Sequence, residues 1–371
     1  MGSEVLLYGY GAVCLSMLVF NIVNSIVMKK QEMRLERRSR ALAAQVEIQM
    51  ELIRQGKEVE QKHMRYLARK LRRVKNLVAF DRVMETYQEN EQDLGILEYK
   101  RQIQSVLLQL AVVYLGRDTM QSAYFAYFLS RNRLQRHMAV DALEEILVQY
   151  MRKQNLYCRV NALEALCSFG SEESVVKALT VLNQEGGFIH EKILTDGLLA
   201  FGGDHDRLMA LLWDKFERFS GKMQMVVLNY IRYKSGGYCE RMLGIMTDLK
   251  RDKEQRLLAI RYFGRYVYEP AREALLGFAS DQNPLNWEYA AVSVTSLARY
   301  TGEKVMAALI GAVHSANWYV RYNAAISLES RDGYDWDMME AAGGNDRYAR
   351  EMLMYRLELN NARKGIQGGR I

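Results

Sequence analysis

Two prolines, Pro270 and Pro284, are all that the 371-residue chain contains. Proline fixes φ and removes a backbone donor, so it interrupts helix interiors. A chain this poor in it is free to be helical almost throughout. Cysteine is scarce too, and the four present (Cys14, Cys158, Cys167 and Cys239) show no CxxC or zinc-ligand spacing. Cys158 and Cys167 would lie about 13 Å apart along one helix axis, too far to bridge. Unpaired thiols suit a body kept in a reducing compartment. The five histidines, His63, His137, His190, His205 and His314, are scattered, with neither triad order nor nucleophile elbow around them. The most informative absence is local: residues 5–28 (VLLYGYGAVCLSMLVFNIVNSIVM) contain no Asp, Glu, Lys, Arg or His.

As a helix, that run spans about 36 Å, enough to cross a bilayer core with some tilt. It is not patterned as a cleaved signal. Met1, Gly2, Ser3 and Glu4 supply no basic n-region, and Ile26-Val27-Met28 offers no small-residue cleavage site. Residues 1–28 therefore read as an uncleaved, single-pass anchor. Lys29, Lys30, Arg34, Arg37 and Arg38 follow at once as candidate contacts to lipid headgroups. The positive-inside rule then puts the N-terminus outside and the body in the cytoplasm. Cys14, Met17, Asn21, Asn24 and Met28 recur at spacings of three or four and share a helix face. On it, Asn21 and Asn24 are candidate contacts to another membrane helix or to a second copy. The alternative is that Asn24 and Ser25 sit at headgroup level.

Charge is unevenly distributed. The chain carries a net +7, but residues 29–75 hold 15 Lys/Arg against 6 Asp/Glu, a local +9 that leaves −2 for the rest. The basic character thus belongs beside the membrane, and a near-neutral remainder without a basic stripe argues against nucleic acid as a partner. Residues 29–92 read as a basic juxtamembrane helix broken at Gly56. A heptad begun at Leu35 collects Leu42, Leu52, Val59 and Tyr66 but also Arg38, Gln45, Gln49, Gly56 and His63, a weak coiled-coil pattern. Residues 93–133 read as capping helices, of which 103–115 is a short buried one.

From about residue 134 the chain repeats. Asn155-Leu-Tyr-Cys-Arg-Val-Asn-Ala-Leu-Glu-Ala-Leu166 and Asn317-Trp-Tyr-Val-Arg-Tyr-Asn-Ala-Ala-Ile-Ser-Leu328 agree at six of twelve positions. The large apolar position recurs as Leu166, Leu198, Ile231, Phe263, Leu297 and Leu328, at intervals of 31 to 34, with glycine-containing breaks between units. Such a period, with two short helices per unit, predicts a helical solenoid over 134–360 and a disordered tail over 361–371. The segment Val320-Arg-Tyr-Asn-Ala-Ala-Ile-Ser-Leu328 resembles the second helix of HEAT repeats, particularly the short bacterial type of phycobilisome-lyase-like HEAT proteins. Glu191 and Gln224 stand where the repeat arginine is expected, so those units rest on periodicity. The resemblance implies a superhelical stack whose concave face binds partners, usually proteins.

The fold expected is all-α: a transmembrane helix, a long basic juxtamembrane helix and an α-solenoid of HEAT-like pairs. Site-like strings are few. Gly202-Gly-Asp-His-Asp206 reads as a helix stop followed by an Asp cap, and Asp332, Asp335 and Asp337 fail the calcium-loop pattern. Arginines and tyrosines on the second helices are good interface anchors. Arg232, Arg261, Arg265, Tyr266, Arg299 and Tyr322 are the candidates for a partner-binding concave face. The recurrent Arg159, Arg321 and Arg350 are instead expected to bond neighbouring repeats. No catalytic residue, cofactor or metal is indicated. The function expected is a membrane-tethered scaffold or accessory subunit for a membrane protein or membrane-associated enzyme. A glycosyltransferase of surface-polysaccharide synthesis is one such client, though no residue selects it. The alternatives are a HEAT-type enzyme (lyase or base-processing) and a self-assembling, homo-oligomeric membrane spacer.

Overall fold

The computed structural model describes residues 2–88, 94–117, 119–132, 138–186, 189–331 and 342–368. Those residues are all-helical, with 19 α-helices, three short 3-10 helices and no strand among them. The chain divides into two compact units, Met1–Leu211 and Leu212–Ile371.

In the first unit, α1 (Gly2–Arg54) is one unbroken helix of 53 residues. Its side chains from Tyr8 to Arg34 are exposed, and the most apolar stretch reaches a mean hydropathy of 2.0. By length and composition this helix can cross a membrane, the one such helix among the described residues. Past Arg34 its character changes. Leu42, Val46 and Met50, one every four residues, are buried. After a turn at Gly56 (φ 73°) come α2 (Gln61–Lys70), α3 (Val74–Gln88) and α4 (Leu94–Gln102), and α1 packs on both α3 and α4. The expected division at residue 28/29 therefore falls inside a single helix. The four-residue stripe also differs from the heptad reading, whose apolar members other than Leu42 are only half-buried. A helix lying on a body, rather than winding round one partner, buries the wider i, i+4 stripe.

The unit continues with α5 (Gln104–Leu115), α6 (Thr119–Arg131), α7 (Met138–Tyr150), α8 (Leu156–Phe169), α9 (Glu172–Glu185) and α10 (Glu191–Leu199), and the division at Leu211 falls within α11 (His205–Asp214). The apolar α5 is a buried helix as expected, with Val106, Leu107, Leu110 and Tyr114 inside. Polar side-chain tips tie the neighbouring helices: buried Tyr114 donates to Leu71 O (2.7 Å), buried Tyr150 to Ala111 O (2.9 Å) and half-buried Asn161 to Ala123 O (3.0 Å).

The second unit holds α12 (Gly221–Lys234), α13 (Cys239–Thr247), α14 (Lys253–Arg265), α15 (Arg272–Ala279), α16 (Trp287–Leu297), α17 (Glu303–Val313), α18 (Trp318–Glu329) and α19 (Arg347–Gly368). Helices α12, α14, α16, α18 and α19 pack each on the next, while α13, α15 and α17 each pack on the helix that follows. The two prolines open 3-10 turns, Glu269–Ala271 and Pro284–Asn286, where no helical donor is lost. The register residues Leu166, Leu198, Ile231, Phe263, Leu297 and Leu328 are all fully buried. Eleven residues before four of them stand Asn155, Ser220, Asp252 and Asn317, each an N-cap whose side chain accepts from the first turn. Residues 361–368 continue α19, where a disordered tail was expected.

Candidate functional site

The ends of α12, α14 and α16 bring together most of the predicted partner-binding residues. Arg232 and Tyr233 close α12, Arg261 and Arg265 close α14, and Arg299 follows α16. The Arg232 guanidinium lies 4.6 Å from the centre of the Tyr233 ring and donates to its hydroxyl at 2.8 Å. Arg265 approaches the same ring at 5.7 Å and the Tyr266 ring at 5.8 Å. Tyr266 can lie there because residue 236 is glycine: a Cβ would meet the ring at 2.9 Å. Arg299 joins through the backbone, donating to Arg265 O at 2.9 Å. Arg261, Arg265, Tyr233 and Arg299 are exposed, and Arg232 is half-buried. Burial, with the like charges of Arg261 and Arg265, draws the Arg232 guanidinium below the ordinary arginine range against the opposing pull of Tyr233. Tyr322 is not part of this group. It stacks on Trp318 at 4.9 Å and receives a hydrogen bond from Arg356, itself paired with Glu329 at 2.7 Å.

The hydrogen bonds of Arg159 and Arg321, expected to go to neighbouring repeats, go to the turn before their own helices. Arg321 turns back to Ser315 O (2.6 Å) and Ala316 O (3.0 Å), Arg159 to Gln154 O (3.5 Å) and Arg256 to Met246 O (3.1 Å). Each clamps the turn before its own helix. Gln224, seven residues before Ile231, does the same through Phe216 O at 3.0 Å, so the unit that lacks the arginine keeps the clamp. Two also reach the following unit: Arg256 donates to Tyr289 Oη (3.3 Å), and the Arg321 guanidinium lies 5.5 Å from the centre of the Tyr348 ring. Contacts to the preceding repeat come from Asn323 to Ala291 O (3.0 Å), Ser296 to Ile260 O (2.9 Å) and Ser327 to Val294 O (3.1 Å).

At the other end, Lys29, Lys30, Arg34 and Arg37 are exposed and Arg38 is half-buried. None has an ion-pair partner among the described residues, whereas Glu32 pairs with Arg82 and Glu36 with Arg40. Asn21 lines a shallow apolar hollow with Cys14, Met17, Leu18, Ile22, Ser25 and Ile26; Asn24 is exposed outside it.

Chemistry-bearing clusters are few. Asp204 is a helix cap, accepting from Asp206 N (2.9 Å) and Arg207 N (3.2 Å), while the ring of His205 meets Phe201 edge-on. Among the described residues no three His, Cys, Asp or Glu side chains converge as a metal site. Asp332, Asp335, Asp337 and His137 lie outside the described residues. A groove of about 1140 Å³ between α15 and α17 is floored by Gly277, Ala307, Ala308 and Gly311. Its Asp281 is held low by hydrogen bonds from Asn283 N and the Asn286 amide, and Lys304 pairs with Glu273, so its charges serve the local backbone and each other. One node escaped the sequence reading: Asp81 is buried, receiving Tyr124 Oη at 3.0 Å and Asn132 Nδ2 at 3.3 Å, and burial raises its pKa. A lone Asp inside a helical pattern gives no sign of partners more than 40 residues away.

No protein-family model matches the chain, and no curated protein matches it.

Proposed function

We propose that the chain is a membrane-tethered, non-enzymatic scaffold whose HEAT-like solenoid holds a partner protein beside the membrane. The observation that carries this reading is α1, an apolar helix long enough to span that passes without a joint into the packed body. A soluble enzyme gains nothing from such an extension, whereas a scaffold gains a fixed position. The unpaired Lys29, Lys30, Arg34, Arg37 and Arg38 suit anionic headgroups at the cytoplasmic face. The arginine–tyrosine group at the ends of α12, α14 and α16 is the surface offered to the partner. Its residue types are those that dominate protein interfaces.

The test is affinity capture of C-terminally tagged full-length protein from gently solubilised membranes, followed by mass spectrometry, beside an Arg261→Ala/Arg265→Ala variant. Both side chains are exposed, so the variant folds. One stoichiometric partner, depleted in the variant, is the expected result. Recovery of the chain alone from both samples would overturn the reading in favour of self-assembly.

A further inference from the structure

Arg261 and Arg265 stand at positions i and i+4 of α14, on one helix face. Like charges at that spacing repel, and a third joins them. The Arg232 and Arg265 guanidiniums lie 4.6 and 5.7 Å from the centre of the same Tyr233 ring. The two usual reasons for arginine at a helix end do not cover the group. One is capping of terminal carbonyls. Arg299 does this, as does Arg331 toward Leu297 O and Tyr300 O, but Arg261 and Arg265 donate to no carbonyl among the described residues. The other is pairing with a carboxylate. None pairs with Arg232, Arg261 or Arg265 among the described residues, and Glu269 on the turn after α14 is taken by Arg272 at 2.7 Å. Arg232 Nε is buried and also without a partner. Arg232 and Arg265 share one ring, Arg261 stands one turn before Arg265, and no counter-charge pairs with any of them among the described residues.

We propose that Arg232, Arg261 and Arg265 form a binding site for a phosphate ester. This deepens the scaffold reading and rests on it for the ligand's origin. A carboxylate brings one charge and two oxygens. A phosphate monoester brings nearly two charges and three acceptor oxygens, the number that three guanidinium forks can share. Tyr233 Oη, accepting from Arg232, sets the orientation of the fork nearest the protein. The same group arrives either on a phosphorylated side chain of the partner or on a free phosphate ester such as a nucleotide.

The experiment uses full-length protein in detergent micelles and calorimetric titration at constant ionic strength. The probes are inorganic pyrophosphate, ADP, and a phosphoserine peptide beside its unphosphorylated twin. Saturable binding of pyrophosphate is expected, weakened about tenfold or more by Arg261→Gln or Arg265→Gln. Arg347→Gln, which removes an equal charge from an exposed position elsewhere in the unit, should leave it unchanged. Preference for ADP over pyrophosphate assigns a small-molecule source, and preference for the phosphopeptide over its twin assigns the partner. Without ligand, Arg265→Gln should melt close to wild type, because relieved repulsion offsets the two exposed ring contacts it gives up. Absence of saturable binding to every probe would overturn the proposal, as would binding indifferent to both glutamine variants. A lowered melting point accompanying lost binding would do so too, by giving Arg265 a structural role. Partner capture reads the scaffold separately: a partner still captured by a protein that binds no phosphate sinks the phosphate site alone.

Discussion

At His63 the ring Nε2 lies 2.9 Å from Tyr99 Oη, Nδ1 has no partner among the described residues, and the residue is 3% exposed. Burial draws its pKa from 6.5 to about 4, against a weak opposing pull from Glu60. The folded value is below the unfolded one, so between those pH values the unfolded chain binds the extra proton. Stability is therefore complete above pH 6.5 and lost as pH falls toward 4, by about 3 kcal/mol at most. Urea midpoints measured from pH 7 to 4 should fall for the wild type. For His63→Leu they should fall less, so that the gap between the two narrows with acidification. Glycines give a second contrast. A Cβ at Gly203 would stand 2.5 Å from the Gly170 carbonyl oxygen, backbone that cannot swing aside, whereas one at Gly244 within α13 meets nothing within 4 Å. Gly203→Ala should cost about 1–3 kcal/mol, and Gly244→Ala should gain about 0.5–1 kcal/mol. Thermal melts of the two variants check both signs.

Among the helices, the register of large apolar residues was legible because each had to be buried, and a period near 32 can arise in few other ways. What the recurrent polar residues bond to was not legible. Spacing shows that an arginine returns, but a guanidinium at the start of a helix reaches either the turn behind it or the next repeat, and sequence does not choose between them. The turn takes the hydrogen bonds of Arg159 and Arg321 because its carbonyls are orphaned at a helix end, and Arg256 reaches both. The same limit applies to the candidate site. Arg232, Arg261, Arg265 and Arg299 were readable as arginines of the second helices, but Tyr233, whose ring Arg232 and Arg265 share, is not distinguished by spacing from Tyr230, which is fully buried. Three residues separate them, and only the helix end decides which faces outward. The division of labour predicts unequal costs. Arg256→Ala breaks bonds to Met246 O and Tyr289 Oη at a 9% exposed site and should cost about 2–3 kcal/mol, while Asn323→Ala, losing one neutral bond, should cost about 1 kcal/mol. Chemical denaturation of both variants tests the order: a larger loss for Asn323→Ala would contradict the clamp.

For the molecule as a whole, the proposed membrane tether gives α1 a mechanical consequence. Ser39 donates to Ala79 O at 3.2 Å and Glu32 pairs with Arg82, so the body grips the helix within about three turns of Met28. Removing residues 2–28 leaves Leu42, Val46 and Met50 in place, and that protein should be soluble and melt as the intact body does. Removing residues 2–75 also strips His63, Leu67 and Leu71, which are buried. Each lost apolar side chain forfeits about 1.5–3 kcal/mol of burial, so this shorter protein should aggregate or unfold. The same continuity separates a tether from a positioning device. If α1 only retains the protein at the membrane, a six-residue Gly-Ser insertion between Met28 and Lys29 should leave partner capture intact. If it fixes the body at a set height, the inserted protein should stay in the membrane after alkaline washing yet capture less partner, because a flexible joint returns the orientational freedom that a continuous helix removes. The second outcome is expected, since residues 29–34 continue as exposed helix where a loop would have sufficed for tethering alone.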